Sequence, residues 1–459
     1  YDQVHLVGRA VSVLCSVLTV GLLYVLGRRL YDPWIALMAA LLLALAVLPI
    51  QQAHFFTVDS MATTASMLAL LFAVDISQRG RWRDFLLFGL ALGFAVAVKV
   101  SVASLSLLAV AATLQYAHGQ RAQAPAPRPR RQHLAAGLVL AGVVSLIVFR
   151  FLSPYAFTGP GLFGIELNPA WLANLREVGD LMGGWRDFPP GHQWTDRTPL
   201  WFPWKNMVLV GMGPALGITA WVGWAVAGVL LVRRSQQRHL LPWLWITILF
   251  LHQGTQWVKS LRYLLPIYPA LALMAAFLLV EAWRRAERSG KTLARAGAAA
   301  MIGTVLLSTL AWASAFTTIY RRPHSRIEAS RWIYQHVPEG SGIAHEVWDD
   351  ALPVPLDGLP GMGRYRGLPM HPYAEDSPEK LTEMLETLDQ ADYLVLSSNR
   401  LYDSIPWLPM RYPVTTRYYE ALFAGELGFE RVAEFTSYPT LLGLSFPDQG
   451  AEEAFSVYD

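Results

Sequence analysis

Residues 264–280 read LLPIYPALALMAAFLLV and contain no charged side chain. Two further stretches, 34–50 and 134–148, have the same character. The whole chain is 54% hydrophobic and only 15% charged, with a mean hydropathy of +0.32. A water-soluble globular protein of ordinary composition carries more charge. These apolar runs therefore predict a polytopic α-helical membrane protein.

Crossing the hydrocarbon core takes about 20 apolar residues in a helix. By this criterion we predict about ten spans. Their approximate limits are Val7–Gly27, Pro33–Ile50, Ser60–Ile76, Phe85–Val98, Val100–Gln115, Leu134–Leu152, Met207–Val232, Leu240–Gly254, Leu264–Trp283 and Ala298–Thr318. The chain begins without a methionine, and we expect it to begin part-way into a longer protein.

The loops between these spans alternate in charge. The arginine-rich loops contain Arg28 and Arg29; Arg79, Arg81 and Arg83; Arg121, Arg128, Arg130 and Arg131; Arg233, Arg234 and Arg238; and Arg284, Arg285, Arg288, Lys291 and Arg295. All of them fall on one side of the predicted topology. Because cytoplasmic loops carry the excess of Lys and Arg, this side is predicted to face the cytoplasm. The protein is then expected in the cytoplasmic (inner) membrane as a multi-pass protein.

The composition changes near Tyr320. From there onward lie 22 of the 34 acidic residues but only 11 of the 37 basic ones. We predict a transmembrane domain over residues 1–319 and a small extracytoplasmic α/β domain over residues 320–459. The predicted helices of the second domain are Arg326–Gln335, Pro378–Leu388 and Thr415–Ala424, and its predicted strands are Gly342–Glu346, Asp392–Ser397 and Phe429–Ser437.

Asp59 and His54 lie in a loop between the second and third predicted spans, on the outer side. This loop has no Lys or Arg of its own, so the partner of Asp59 must come from elsewhere in the chain or from a substrate. Alternatively, Asp59 caps the helix that begins at Ser60. His54 is either a substrate contact or an ordinary residue of the membrane interface.

Outer loops also carry isolated cations, in contrast to the positive-inside trend. Lys99 lies between the fourth and fifth spans, and Lys259, Arg262 and Tyr263 precede the ninth. A phosphate or pyrophosphate would hold such cations, because Arg offers paired donors to phosphate oxygens and Lys adds a compact charge. The alternative is that these side chains extend to lipid head groups.

The long outer loop from Ser153 to Asn206 contains Asp187, His192 and Asp196 among Trp, Pro and Gly residues. Long ordered loops usually bind a ligand or a partner, and aromatic faces beside carboxylates suit sugar recognition. Trp and Tyr also line membrane interfaces without binding a substrate. No cluster in the sequence has metal-ligand spacing, so no metal or other cofactor is predicted, and the scattered arginines give no continuous surface for nucleic acid.

Five segments resemble a known superfamily. They are HFFTVDSMATTASMLALLFA at 54–73, GLALGFAVAVKVS at 89–101, VKSLRYLLPIYPALALMAA at 258–276, ASRWIYQHVPEGS at 329–341 and DYLVLSSNRLYD at 392–403. The sequence resembles the GT-C superfamily of lipid-phosphosugar-dependent membrane glycosyltransferases, on the branch of protein O-mannosyltransferases and the aminoarabinose transferase of lipid A. This resemblance implies transfer of a sugar from a polyprenyl-phosphate donor to a lipid, glycan or protein acceptor at the outer membrane face.

The resemblance also implies roles for individual residues. Lys259, Arg262 and Tyr263 would contact the lipid-linked phosphate, with Lys99 assisting, and Asp59 would orient the sugar or a basic residue. Asp187, His192 and Asp196 would shape the acceptor side. The catalytic carboxylate of the family lies in a first outer loop that follows a first span. Both are expected before Tyr1, and Asp2 is a poor substitute. Either the chain is a fragment or this member is inactive. The alternative function is a non-catalytic membrane carrier or scaffold subunit.

Overall fold

The computed structural model describes residues 2–122, 131–159, 161–234 and 236–447. The chain divides into two compact units. The first contains the chain up to Gly179 together with Pro199–Ala313, and the second contains Asp180–Thr198 together with the chain from Ser314 onward. This division does not locate the membrane boundary, so the domain limits at residues 319 and 320 stay a prediction.

The N-terminal two thirds of the described chain is almost entirely helical. Its α-helices are α1 (Asp2–Leu30), α2 (Pro33–Leu45), α3 (Val47–Ala53), α4 (Asp59–Arg79), α5 (Trp82–Val98), α6 (Ser106–Ala122), α7 (Arg131–Leu152), α8 (Pro169–Gly183), α9 (Trp201–Asn206), α10 (Pro214–Arg234), α11 (Leu240–Gly254), α12 (Tyr268–Arg288) and α13 (Thr292–Thr317). Two short strands, β1 (Phe157–Thr158) and β2 (Glu166–Leu167), form an antiparallel hairpin after α7.

Within the described residues, seven helices are long and apolar enough to cross a membrane, or eight if the bent pair α2 and α3 forms one span. The bend between α2 and α3 is 60°. The other two predicted spans coincide with α5 and α11, which are helices of only 17 and 15 residues. The fold is that of a multi-pass helical membrane protein, and the count of ten spans stays a prediction.

Helices α5 and α7 pack closely at glycine residues. A Cβ atom at Gly89 or Gly93 of α5 would lie 2.6 Å from a backbone carbonyl oxygen of α7, that of Ala141 or Ser145 respectively. Without a strong hydrophobic drive between helices in lipid, small residues permit this close approach and the dispersion contacts that follow from it. The spacing of four residues places both glycines on one face of α5.

One end of the helix bundle gathers arginines from separate helices. Arg29, in the last turn of α1, and Arg79, at the end of α4, both pair with the buried carboxylate of Asp75. Arg284 lies 2.8 Å from Asp32, which also caps α2 by accepting from two of its backbone N–H groups. Since α4 has 21 residues, its other end at Asp59 lies about 30 Å away.

The second unit contains a small parallel sheet. Its strands β3 (Gly342–Glu346), β4 (Arg366–Met370) and β5 (Tyr393–Val395) have the spatial order β4-β3-β5. The helices α14 (Ser325–His336), α15 (Pro378–Asp389) and α16 (Pro413–Phe423) accompany them, and β6 (Thr440–Leu441) and β7 (Leu444–Ser445) form a terminal hairpin. Two apolar clusters form the core, one containing Ile343 and the other Tyr419.

Most of the elements predicted for this unit are confirmed. Helices α14, α15 and α16 and strands β3 and β5 fall where the sequence predicts them, within a few residues. The strand predicted at Phe429–Ser437 is wrong, because that segment has no regular structure and pairs with no strand. Strand β4 was not predicted. Its residues RGLPM lack a β-branched apolar run and are mostly exposed, so only its pairing with β3 identifies it as a strand.

Candidate functional site

Asp59 and Lys99 form an ion pair at one end of the helix bundle. Asp59 is the first residue of α4, and its side chain is almost fully buried. Lys99 follows α5 directly, and its Nζ atom lies 2.6 Å from Asp59 Oδ1. The helix-capping interpretation of Asp59 is wrong, because Val58 occupies the cap position and no side chain caps this helix. The partner that the sequence left open is Lys99.

Tyr263 connects this ion pair to the loop before α12. Lys99 Nζ lies 4.3 Å from the centre of the Tyr263 ring, a cation–π contact. On the same ring, the Arg262 guanidinium lies 5.2 Å from the centre, and Arg262 Nη2 donates to Tyr263 Oη at 3.4 Å. The structure thus brings together Asp59, Lys99, Arg262 and Tyr263, four residues singled out in the sequence from three separate segments.

Lys259 is a buried cation in the same loop, four residues before Tyr263. Its side chain is 4% exposed, and its Nζ atom donates to the backbone carbonyl of Trp257 at 3.1 Å. The Trp257 ring centre lies 5.5 Å away. Burial lowers the pKa of Lys259. Among the described residues, no carboxylate lies within ion-pair distance of Lys259, so its charge is met by a carbonyl dipole and a ring alone.

The charges at this end of the first unit do not balance. Lys99, Lys259 and Arg262 supply three positive charges, and Asp59 supplies the one carboxylate that pairs with any of them. Arg262 is exposed and is close enough to Asp59 to interact with its charge. This arrangement suits an anion. In the part of the chain that the structure describes, no group of three His, Cys, Asp or Glu residues is placed to hold a metal ion.

His54 lies near the start of the same loop as Asp59. It ends α3, is exposed, and its Nδ1 atom is 2.8 Å from the Ile50 carbonyl oxygen of its own helix. A cavity of about 200 Å³ adjoins this region. Its walls are mostly apolar, with hydroxyl groups contributed by Ser60 and Thr63 from α4 and by Ser16 from α1.

The acceptor-side residues predicted from the long outer loop belong to the second unit. Asp187 forms a two-point ion pair with Arg411, with Nη1–Oδ1 and Nη2–Oδ2 distances of 3.0 and 2.6 Å. His192 Nε2 lies 3.1 Å from Asp187 Oδ1, and the buried His192 ring packs beside those of Tyr373 and Tyr412. Asp196 is exposed and has a φ of +57°.

Hydrogen bonds, neighbouring charges and burial shift the pKa values of Asp187 and His192. The hydrogen bonds from Arg411 and His192 lower the pKa of Asp187 to about 2. Burial lowers the pKa of His192, against the opposing effect of Asp187. Arg411 was not singled out from the sequence. The sequence signal that could have pointed to Arg411 is the scarcity of basic residues in this part of the chain. Few basic side chains are available there to pair with its many carboxylates.

Comparisons with known proteins give one match to a family model and several similarities to solved structures. Residues 2–149 match the family model described as dolichyl-phosphate-mannose-protein mannosyltransferase. A comparison with curated protein sequences gives no match. The apo oligosaccharyltransferase of Archaeoglobus fulgidus is similar in structure, with a TM-score of 0.45 and 16% identity over 74% of this chain. The chain spans about half of that enzyme, 51% of its length.

A second solved structure is that of ArnT from Cupriavidus metallidurans bound to undecaprenyl phosphate. Its TM-score is 0.44 and its identity 15%, over 86% of this chain and 77% of that one. The family model, by contrast, is matched by sequence, and the matched segment includes His54, Asp59 and Lys99. The sequence match to this family of membrane mannosyltransferases therefore extends over residues 2–149 of the chain.

Proposed function

We propose that this protein transfers a sugar from a polyprenyl-phosphate donor to an acceptor at the outer face of the cytoplasmic membrane. The observation that carries the proposal is Lys259, a buried cation with no carboxylate partner among the described residues, in the same loop as the exposed Arg262. The description of the matched family model names a lipid-linked sugar phosphate, which is an anion of the required kind.

The energetics favour an anionic ligand at this loop. A charge taken out of water without a partner costs several kcal/mol, even after the surroundings relax. A carbonyl oxygen at 3.1 Å offsets only part of this cost for Lys259. A phosphate bound here would supply the missing negative charge, with Lys259 as a compact donor and Arg262 as a fork of paired donors. Lys99, already paired with Asp59, would contribute more to positioning Tyr263 than to net charge.

The proposed orientation follows from the opposite end of the bundle. Arg29, Arg79 and Arg284 lie at the ends of their helices remote from Asp59, as the alternating loop charges predict. The positive-inside rule would place that end in the cytoplasm. The cluster of Lys99, Lys259 and Arg262 would then face the extracytoplasmic leaflet, and so would the predicted C-terminal domain.

The proposed chemistry is a displacement at the anomeric carbon of the donor sugar. The acceptor hydroxyl oxygen forms the new bond, the bond between the anomeric carbon and the phosphate oxygen breaks, and its electron pair leaves on that oxygen. Lys259 and Arg262 would stabilise the negative charge that develops there. The acceptor proton passes to a general base, a role that the family resemblance gives to a carboxylate.

The acceptor side is proposed for the segment that includes Asp187, His192 and Asp196. Asp187 retains 60% exposure of its side chain despite its pairing with Arg411. The adjacent Phe188 contacts the Trp348 ring edge-to-face at 5.9 Å, and both aromatic side chains are exposed. Exposed aromatic faces beside a carboxylate suit the apolar and hydroxyl faces of a sugar.

Binding of undecaprenyl phosphate to the protein in nanodiscs tests the anion site. We expect Lys259→Met and Arg262→Ala each to weaken binding about tenfold or more, since charge-assisted hydrogen bonds contribute about 1.5–3 kcal/mol. Lys291→Met is the matched control, because Lys291 is exposed in an arginine-rich loop. Undecaprenol, which lacks the phosphate, controls for the hydrocarbon tail. Unchanged binding in both test variants would remove the proposed phosphate role.

Transfer from a radiolabelled lipid-linked sugar separates the glycosyltransferase from a carrier or scaffold of the same fold. A glycosyltransferase produces a labelled acceptor and free polyprenyl phosphate, and both products diminish in Arg262→Ala. A carrier binds the donor in the same way but yields neither product. The assay uses the full-length protein as the cell makes it.

A further inference from the structure

A small hairpin lies immediately after the apolar helix α7. Helix α7 ends at Leu152, and β1 starts five residues later and pairs with β2 in antiparallel register, Phe157 opposite Leu167. The connecting loop includes a single helical turn at Gly161–Phe163. Gly164 closes the loop at a position where a Cβ atom would lie 2.5 Å from the Thr158 carbonyl oxygen.

Arg150, in the last turn of α7, fixes the hairpin to the end of that helix. Its Nε atom donates to the Gly164 carbonyl at 2.6 Å, and its Nη2 atom donates to the Gly161 carbonyl at 2.9 Å. The guanidinium also lies 4.9 Å from the centre of the Phe157 ring. Three contacts from one side chain thus connect both the loop and its first strand to the helix end.

The loop held in this way exposes two large apolar side chains. Phe163 is 87% exposed and Ile165 is 80% exposed, although the first unit has an extensive apolar core. The surface of α7 leads toward them. Val139, Val143 and Leu146 are exposed at helical spacing along α7, and Phe151 continues the exposed apolar surface into its last turn. This is the pattern of a helix face in contact with lipid.

The length of α7 sets the depth of the hairpin. Its 22 residues extend about 33 Å, close to the thickness of about 30 Å of the hydrocarbon core. The chain beyond Leu152 therefore emerges at a boundary between hydrocarbon and water, on whichever side α7 ends. Aromatic side chains are enriched in that layer, which is apolar on its hydrocarbon side and polar on its water side.

We propose that the hairpin of β1 and β2 inserts Phe163 and Ile165 into the interfacial layer of the bilayer, with Arg150 holding it at that depth. The occupant of this apolar surface is lipid, because the surface is continuous with the lipid-facing side of α7. Polar Glu166, adjacent to Ile165 on β2, stays in water. The hairpin thereby anchors the start of the long loop that follows α7 at the membrane surface.

Spin-label accessibility in lipid vesicles tests this placement. The chain has one cysteine, so Cys15→Ser gives a background for single labels at Phe163→Cys, Ile165→Cys and Glu166→Cys. Collision rates are measured with oxygen, which concentrates in lipid, and with a neutral nickel chelate, which stays in water. We expect the labels at 163 and 165 to lose nickel accessibility and gain oxygen accessibility relative to the label at 166.

Two other outcomes would overturn the proposal. Equally high nickel accessibility at all three positions would place the hairpin in water. Low accessibility to both reagents at 163 and 165 would show a protein surface, such as a second copy of the chain, in place of lipid. In the same background, Arg150→Gln should raise nickel accessibility at 163, because the hairpin loses its attachment to α7. If it does not, Arg150 does not set the depth.

Discussion

Lys99 Nζ lies 2.6 Å from Asp59 Oδ1, which joins two helix ends that are 40 residues apart in the chain. The Asp59 side chain is 4% exposed and that of Lys99 is 16% exposed. Asp59→Asn should therefore leave a largely buried cation without a partner and cost about 3 kcal/mol of stability. Thermal unfolding in detergent would show this loss, and Asp59→Asn with Lys99→Met should recover part of it.

An exposed pair in the same chain provides the comparison for this measurement. Arg417 and Glu420 are 64% and 47% exposed at a distance of 3.5 Å. Glu420→Gln should change stability by less than about 1 kcal/mol, because water already solvates both charges. An equal loss in Asp59→Asn and Glu420→Gln would contradict the view that burial determines the strength of the first pair.

Close packing of α5 on α7 predicts a strong difference between two glycine substitutions. In Gly93→Ala the new Cβ would lie 2.6 Å from the Ser145 carbonyl oxygen, so the helices must separate, at a cost of about 1–3 kcal/mol. Gly142→Ala on α7 is the matched control, since nothing lies within 4 Å of its Cβ position. That control should be neutral or slightly stabilising. Thermal unfolding in detergent compares them, and equal stability of the two variants would refute the close contact.

The ion pair between Asp187 and Arg411 predicts acid sensitivity. In the folded protein the pKa of Asp187 is lowered to about 2 from its ordinary value of 3.8, chiefly by hydrogen bonding to Arg411. The pair therefore contributes stability above pH 4, and this contribution is lost as pH falls from about 4 toward 2. Asp187→Asn should flatten the stability profile in that window. A variant profile that parallels the wild type there would show that the pair does not form.

Glu346 predicts that stability is lost as pH rises, the opposite of the prediction for Asp187. It is buried on β3 and accepts a hydrogen bond from Tyr419 Oη at 2.7 Å. Burial raises its pKa to about 8 from the ordinary 4.5. The folded state then keeps a proton that the unfolded state releases, so stability falls as pH rises from about 4.5 to 8.

Glu346→Gln tests this dependence while keeping an oxygen acceptor for Tyr419. The variant should match the wild type near pH 5 and exceed it in unfolding temperature near pH 9. Glu420→Gln, at an exposed position, should show no such divergence. If Glu346→Gln tracks the wild type across the whole range, the carboxyl group is not held in its neutral form.

The local elements follow closely from the sequence, because their determinants are local. A helix in lipid must satisfy its own backbone hydrogen bonds and present apolar side chains over its whole length, so hydropathy alone predicts α1, α4, α7, α10, α12 and α13. In the second unit, periodicity and turn residues predict α14, α15 and β3. Strand β4 and the irregular segment 429–437 escape this reasoning, because a strand exists only where a partner strand supplies its hydrogen bonds.

The candidate site likewise has features that the sequence predicts and features that only the packing of distant segments decides. The sequence by itself predicted the apolar helices, the arginine-rich ends and which ionisable residues fall at the opposite ends, since the low dielectric of the bilayer makes charge placement a local constraint. Only the tertiary structure decided that Asp59 pairs with Lys99, that Asp187 pairs with Arg411 across 224 residues, and that Lys259 is buried without a carboxylate. Pairing depends on which helix and loop ends meet, and that is fixed by packing between segments that are distant in the chain.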